Sequence, residues 1–326
     1  MKSIKWGIAG PGIIANKFAK AIQQVEGVVL TSVASRSLER GKAFADQYDI
    51  EHVFDSYEAM AASDKVDVVY VSTAHPFHKD CAEIFIKAGK HVLCEKPVCV
   101  NAEQAIQLKK CSEKHGVFLM EAMWTRFLPA IKEACNIVKS GTIGEVRCVE
   151  ADFCYASTPL EEAKLFQKHM AGGSLLDVGV YGLHFASLFL EEEPERISAV
   201  ADVKDGVDLH TCIMAQYPNG GVSRISSAIS LYKPEAAYIY GTKGYLYLPQ
   251  FYGAQEIFVH VEEEVIQIRK PSIGDGFEEE IYEVCNCIRE GITQSKDLPM
   301  DESIRILKQM DAVRNKIGVK YPFEKE

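Results

Sequence analysis

A short apolar run that ends in a glycine turn and continues at helical spacing restricts the fold of this chain more than any other feature. Ile4–Ala9 reads as a buried strand and runs straight into Gly10-Pro11-Gly12-Ile13-Ile14-Ala15. From Ile13 to Val25 the apolar residues recur at the spacing of a helix. Strand, tight turn and helix in that order open the βαβ unit that holds a dinucleotide pyrophosphate. Gly10 permits the sharp turn, Gly12 lets the backbone approach the phosphates, and small Ala15 lets helix and strand pack closely. The helix start at Ile13 and Ile14 offers unpaired N–H groups and a partial positive charge to the anion.

The second strand, Val28–Ser35, fixes which dinucleotide is expected. An Asp or Glu at its end would hold a ribose 2′-hydroxyl. This chain instead reads Ala34-Ser35-Arg36-Ser37-Leu38-Glu39-Arg40. Arg36 and Arg40 can form charge-assisted bonds to a 2′-phosphate, and Ser35 can add a hydroxyl, so NADP(H) is expected over NAD(H). A plain capping role for Ser37, with solvated arginines, is compatible with this. A helix over Leu38–Tyr48, a strand at His52–Phe54 and a helix from Ser56 follow. Asp67–Thr73 is a continuous apolar strand of the kind covered on both faces. It breaks at Ala74-His75-Pro76-Phe77-His78, and a helix runs to Ala88 before the strand His91–Cys94. A helix at Ala102–His115 and a strand at Val117–Met120 complete the series. This alternation predicts an open, mostly parallel, doubly wound α/β (Rossmann) sheet over residues 1–123, with ligands beyond the carboxyl ends of its strands. Thr73, His75, His78, Glu95 and Lys96 then fall in one crevice, and Lys96-Pro97 is a candidate cis bond.

Beyond Phe127 the pattern changes. A helix at Pro129–Ser140 is followed by alternating strands at 145–155, 196–203, 208–217, 221–230, 236–240, 244–248 and 256–268, then helices at 277–290 and 302–316. Residues 124–326 therefore read as an α+β domain with a large, mostly antiparallel, open-faced sheet. A chain of 326 residues suits two cores, and a net charge of −10 argues against nucleic acid or an anionic membrane as partner. Ten scattered cysteines without a C-x-x-C pair suggest free thiols in a reducing compartment, and Cys285-Asn286-Cys287 on a helix points its thiols apart. No metal site is expected. With no signal peptide or spanning segment legible, a cytoplasmic protein is expected.

Gly172-Gly173-Ser174 opens a helix on which Asp177, Tyr181 and His184 fall at i, i+4 and i+7, and so on one face. Taken alone, His184 reads as a core histidine and Tyr181 as a satisfied core phenol; three polar groups on one apolar stripe suggest proton chemistry. Together the glycine turn, Glu95-Lys96-Pro97 and Gly172-Gly173…Asp177…Tyr181 make the whole chain resemble the glucose–fructose oxidoreductase / inositol dehydrogenase / MocA family. Within it the chain most resembles the dimeric dihydrodiol dehydrogenase / NADP-dependent D-xylose dehydrogenase branch. Arg36 and Arg40, His75-Pro76-x-His78, Glu121-x-Met123-Trp124-Thr125-Arg126-Phe127 and Tyr181 carry that likeness. Tyr181 stands where inositol dehydrogenases have histidine, which weakens an inositol assignment.

The resemblance implies oxidation or reduction of a sugar, polyol or trans-dihydrodiol by a nicotinamide cofactor, in a homodimer or homotetramer built through the sheet domain. It implies cofactor contacts at Gly10, Gly12, Ile13, Ile14, Ser35, Arg36, Arg40, Thr73, His75, His78, Glu95, Lys96, Trp124 and Arg126. It offers Lys96 and Tyr181 as the proton-handling pair, with Asp177 on a substrate hydroxyl or on Lys96. Trp124, Phe153 and His184 would complete the substrate pocket. Reduction of a sugar-derived ketone and a non-catalytic NADP(H)-binding regulator are the alternatives. A regulator would have no need of Lys96 and Tyr181 together, and no carboxylate pair suited to glycoside cleavage can be named.

Overall fold

Ile4–Ala9 (β1) is apolar along both faces, and Trp6, Ile8 and Ala9 are completely buried. A strand of this kind needs helices on either side of its sheet. The structure, a computed structural model, describes residues 3–158 and 163–324. In the first unit β1 is followed by α1 (Ile13–Ile22), β2 (Val28–Ala34), α2 (Leu38–Tyr48), β3 (His52–Phe54) and α3 (Tyr57–Ala62). Then come β4 (Val68–Val71), α4 (His78–Lys87), β5 (His91–Glu95), α5 (Ala102–His115) and β6 (Leu119–Ala122). All six strands are parallel, in the order β3-β2-β1-β4-β5-β6. Strand order reverses between β1 and β4, and the segments leaving their carboxyl ends, Gly10 and Ser72-Thr73, define the ligand crevice of such a sheet.

Ser37, Ser56 and Asn101 cap α2, α3 and α5 with their side chains, whereas α1 starts at Gly12 with no side-chain cap. The first N–H groups of α1 are thus left for another acceptor. The sixth strand begins two residues later than its apolar pattern suggests. Val117 still belongs to the helix end, its N–H bonding Ser112 O at 3.2 Å. Glu121 lies inside β6, where its carboxylate accepts the Val98 N–H at 2.9 Å.

In the second unit α6 (Pro129–Lys139) precedes β7 (Val146–Cys154), and α7 (Val180–Ser187) lies between β7 and the remaining strands. These are β8 (Arg196–Lys204), β9 (Val207–Gln216), β10 (Val222–Ala228), β11 (Ala236–Gly241), β12 (Gly244–Pro249), β13 (Glu256–Val261) and β14 (Glu264–Arg269). They form one sheet in the order β14-β13-β12-β11-β7-β10-β9-β8, antiparallel except for the β7–β10 pair. The expected single strand over 256–268 is in fact a hairpin. Val261 pairs with Glu264, and Glu262 takes a φ of 55°. No Gly or Asn marks that turn in Val-Glu-Glu-Glu-Val, so nothing in the local pattern divides the strand.

Strand alternation gives the sheet two unlike faces. Val149 and Ala151 of β7 and Ile213 and Ala215 of β9 are buried on the face that carries α7. The opposite face is open, with Val200 71% and Met214 61% exposed. α8 (Phe277–Arg289) belongs to the first unit: it packs on α1, and Arg289 Nη2 donates to Gly27 O at 3.2 Å. The compact units are therefore the chain to Trp124 with Ile273–Ile304, and Thr125–Ser272 with the chain from Arg305 onward. A single cut between 123 and 124 misses this return, because nothing in the pattern of α8 says which sheet it covers. No helix among the described residues is long and apolar enough to cross a membrane.

Candidate active site

The first unit builds a nucleotide cradle around the β1–α1 turn. Gly10 has a φ of +93°, and a Cβ there would sit 3.2–3.3 Å from Thr73 Cγ2 and Ser72 O. Only glycine fits that conformation beside that neighbour. A Cβ on Gly12 would meet nothing nearer than Gly10 O at 3.9 Å, so the backbone is open to a close ligand. Ser72 Oγ donates to Gly10 O at 3.0 Å and Asn16 Nδ2 to Gly12 O at 2.8 Å, fixing the turn from both sides. Thr73 Oγ1 is buried beside this turn without a hydrogen-bond partner among the described residues. Ile13 is exposed and Ile14 half-buried on the first turn of α1. An uncapped helix start, an open glycine and an orphaned hydroxyl fit a dinucleotide pyrophosphate.

Beside the turn, Ser35 Oγ accepts the Ser37 N–H at 3.2 Å and Ser37 Oγ caps α2 through the Arg40 N–H. Arg40 Nη2 reaches Pro11 O at 3.0 Å, which brings its guanidinium to the glycine turn. Arg36 lies over the Phe77 ring at 5.4 Å, a cation–π contact that holds it above the His75–Phe77 turn. Both arginines are exposed, and among the described residues neither pairs with a carboxylate.

The Glu95-Lys96-Pro97 loop is held from three directions. Glu95 is buried, accepts the Tyr70 hydroxyl, and takes the Lys96 N–H on Oε2 at 3.0 Å. His78, also buried, contacts Pro97 O through Nδ1 at 2.8 Å and Thr73 O through Nε2 at 3.0 Å. Glu121 holds the Val98 N–H, and the Lys96-Pro97 bond is cis. Burial pushes Glu95 up from the ordinary carboxylate range, against the pull of Lys96, and pushes His78 down. Lys96 thus leaves a rigid backbone after β5. His78 meets this loop directly and links it to Thr73 O, and the His75 ring lies 5.8 Å from that of His78. Trp124 stacks on Phe277 of α8 at 5.2 Å, still within the first unit.

The second unit presents Asp177 and Tyr181 on one helical segment, but not on a regular α-helix. Leu175–Gly179 is a π-helical turn, with the Val180 N–H bonding Leu175 O, and only Val180–Ser187 is α-helical. The expected i, i+4, i+7 stripe is therefore rotated between Asp177 and Tyr181 by the wider turn. The start of this segment is held from β9. Asp208 is fully buried, and its Oδ2 accepts Ser174 Oγ at 2.8 Å, the Leu175 N–H at 2.8 Å and Thr211 Oγ1 at 2.9 Å. Its Oδ1 occupies the place where a Cβ of Gly173 would stand, and Gly173 has a φ of +124°. Burial raises the Asp208 pKa and these donors lower it.

Around Tyr181 the walls are aromatic. Phe153 lies 5.3 Å from Tyr181 and stacks on Tyr252 at 4.2 Å, and Tyr252 meets Tyr181 edge-on at 6.2 Å. Burial pushes the Tyr252 phenol up to about 12, so it stays protonated. Asp177 Oδ2 accepts the Tyr155 hydroxyl at 2.8 Å. His184, 1% exposed, sits in the core one turn beyond Tyr181, and its carbonyl accepts Ser187 Oγ at 2.8 Å. Arg126 donates to Ser187 Oγ at 3.0 Å, tying the 124–127 turn to the end of α7.

The second unit thus gathers Phe153, Asp177 and Tyr181, the first gathers the glycine turn, the arginines and the Lys96 loop, and Arg126 and His184 brace α7. Nothing in the sequence marks Asp208 or Tyr252. Tyr155 was legible in principle, since it lies two residues beyond Phe153 and so on the same side of the strand.

Residues 4–123 match the family model described as the oxidoreductase family, NAD-binding Rossmann fold, and residues 131–247 match the GFO/IDH/MocA C-terminal domain. Trans-1,2-dihydrobenzene-1,2-diol dehydrogenase of Mus musculus is 34% identical, covering 99% of this chain and 99% of its own. The Homo sapiens enzyme of the same name is 32% identical with the same coverage. Among solved structures, KijD10, a 3-ketoreductase from Actinomadura kijaniata in complex with NADP and TDP-benzene, matches with a TM-score of 0.89 at 26% identity, covering 97% of this chain and 98% of that one. Aldose-aldose oxidoreductase from Caulobacter crescentus shares the fold at a TM-score of 0.89 and 23% identity, covering 97% of each chain.

Proposed function

Because the chain belongs to the GFO/IDH/MocA family of oxidoreductases, we propose that it is an NADP(H)-dependent dehydrogenase of a sugar, polyol or trans-dihydrodiol, with Lys96 and Tyr181 handling the hydroxyl proton. The nicotinamide cofactor, when bound, supplies or accepts the hydride. Gly10, Gly12 and the first turn of α1 hold its pyrophosphate, and Arg36 and Arg40 with Ser35 hold the 2′-phosphate. An ammonium on the rigid Lys96 loop stabilises the phenolate form of Tyr181, whose ordinary pKa of about 10 would otherwise make it a poor base. Tyr181 then takes the proton of the substrate hydroxyl, and Asp177 receives a second hydroxyl. Phe153 and Tyr252 keep water from the phenol. The observation that carries this proposal is the pair Asp177 and Tyr181 on one segment against an aromatic wall, in a chain whose relatives over its full length are dihydrodiol dehydrogenases. Reduction of a sugar-derived ketone uses the same residues in reverse, and the likeness to a 3-ketoreductase favours placing ketones in the test. The open sheet face suits a second copy of the chain.

The test follows reduced nicotinamide while the protein meets NADP+ or NAD+ with aldoses including D-xylose, inositols and a trans-dihydrodiol, and NADPH with sugar ketones. An aldose or diol is expected to turn over with NADP+. Tyr181→Phe should lose at least about a hundredfold in turnover with NADPH affinity unchanged, and Arg36→Ala should lower the preference for NADP+ over NAD+. Surviving turnover in Tyr181→Phe overturns the proton assignment, and turnover with NAD+ alone overturns the phosphate assignment.

A further inference from the structure

Asp177 is held from outside its own helix. Tyr155, the residue after β7, donates its hydroxyl to Asp177 Oδ2 at 2.8 Å. The backbone around Tyr155 is pinned on both sides: its N–H bonds Ala228 O at 3.1 Å, Ala156 bridges to Ser230, and the Ser157 N–H bonds Ile229 O at 3.0 Å. Phe153, two residues earlier and on the same side of the strand, packs on Tyr181 at 5.3 Å. One stretch of sheet therefore gives a ring to Tyr181 and a hydroxyl to Asp177. An ionised carboxylate has two equivalent oxygens and turns readily about its last bond. A donor fixed to a strand selects one oxygen and sets the plane of the group.

We propose that Tyr155 is a positioning residue: its hydroxyl fixes the orientation of the Asp177 carboxylate that receives a substrate hydroxyl, and thereby sets the affinity for hydroxylated substrates. This rests on the dehydrogenase function proposed above. Tyr155 acts through Asp177, so its effect belongs to KM and disappears when Asp177 can no longer act. A residue that merely supported the strand would change melting behaviour, and its effect would add to that of any other variant.

The experiment is a double-mutant cycle of Tyr155→Phe, Asp177→Asn and the double variant, with kcat and KM measured for the best substrate of the panel and melting temperature alongside. Tyr155→Phe keeps the ring and removes only the hydroxyl. The expected result is about a tenfold loss of kcat/KM in Tyr155→Phe, mostly in KM. A larger loss is expected in Asp177→Asn, and the double variant should equal Asp177→Asn. Wild-type kinetics in Tyr155→Phe, or losses that add in the double variant, with Asp177→Asn still impaired, overturn the role of Tyr155 alone. Wild-type kinetics in Asp177→Asn overturn the substrate role of Asp177 in the proposed function, and the role of Tyr155 with it.

Discussion

Glu280 lies on the apolar side of α8, one turn from Phe277 and next to Ile281, and is completely buried. Among the described residues neither of its carboxylate oxygens has a hydrogen-bond partner. Burial, then Glu95 and Glu279, push its pKa well above the ordinary carboxylate value. The folded chain therefore keeps a proton that the unfolded chain releases above about pH 4.3. Below that pH both states are protonated and the group is neutral to stability. Above it the unfolded state gains from ionising, so stability falls as pH rises toward the folded pKa. Glu280→Gln, which keeps the shape and cannot ionise, should raise the melting temperature by a few degrees at pH 8 and by much less at pH 4.5. Equal shifts at the two pH values would show that Glu280 does not titrate in this range. The misfit was legible, since helical spacing puts Glu280 among Phe277, Ile281 and Val284; that Glu95 lies near it was not. Arg36 and Arg40 show the opposite case: their place after β2 follows from topology, with Arg40 on Pro11 O and Arg36 over the Phe77 ring.

At the scale of elements, the entry to the segment carrying Asp177 and Tyr181 is set by one carboxylate on another strand. Asp208 takes the donors of Ser174, Leu175 and Thr211, and Gly173 leaves room for it. Asp208→Ala removes that acceptor from the buried Leu175 N–H and Thr211 hydroxyl and leaves Ser174 with Ser227 Oγ alone, at a cost of about 2 kcal/mol. A melting temperature several degrees lower and a fall in turnover are expected. Affinity for the nicotinamide cofactor, whose Rossmann fold spans residues 4–123, should stay within about twofold. An unchanged melting temperature would show that water or a neighbouring group replaces the clamp. Helical periodicity located this segment between Gly173 and His184 but read it as a regular α-helix. A π turn moves the acceptor of one N–H by a single residue, here Val180 to Leu175 O, and apolar spacing does not register that shift. The 256–268 strand was misread for a related reason, a hairpin turn built from glutamates.

At the scale of the molecule, the open face of the second unit crosses all eight strands. Tyr238, Tyr240, Tyr245, Tyr247 and His260 form a stacked aromatic row on it, flanked by exposed Met214 and Val200. The Glu150–Arg224 ion pair lies between that row and Met214 on the same face, so a second copy would meet it with both apolar and charged groups. Sedimentation velocity at micromolar concentration should give a dimer or tetramer. Met214→Glu combined with Tyr245→Glu should give a monomer of unchanged helix content. A monomeric wild-type protein would remove the sheet as an interface.

The sequence by itself determined the strand–turn–helix order, the six parallel strands and the mostly antiparallel second sheet. All of these rest on local periodicity and on the geometry of turns, which act over a few residues. Tertiary structure alone decided that Ile273–Ile304 returns to the first unit, that Asp208 clamps Ser174 and Leu175, and that Tyr155 reaches Asp177. Each depends on a hydrogen bond or packed face between residues far apart in the chain, and such partners leave no periodic trace in either segment.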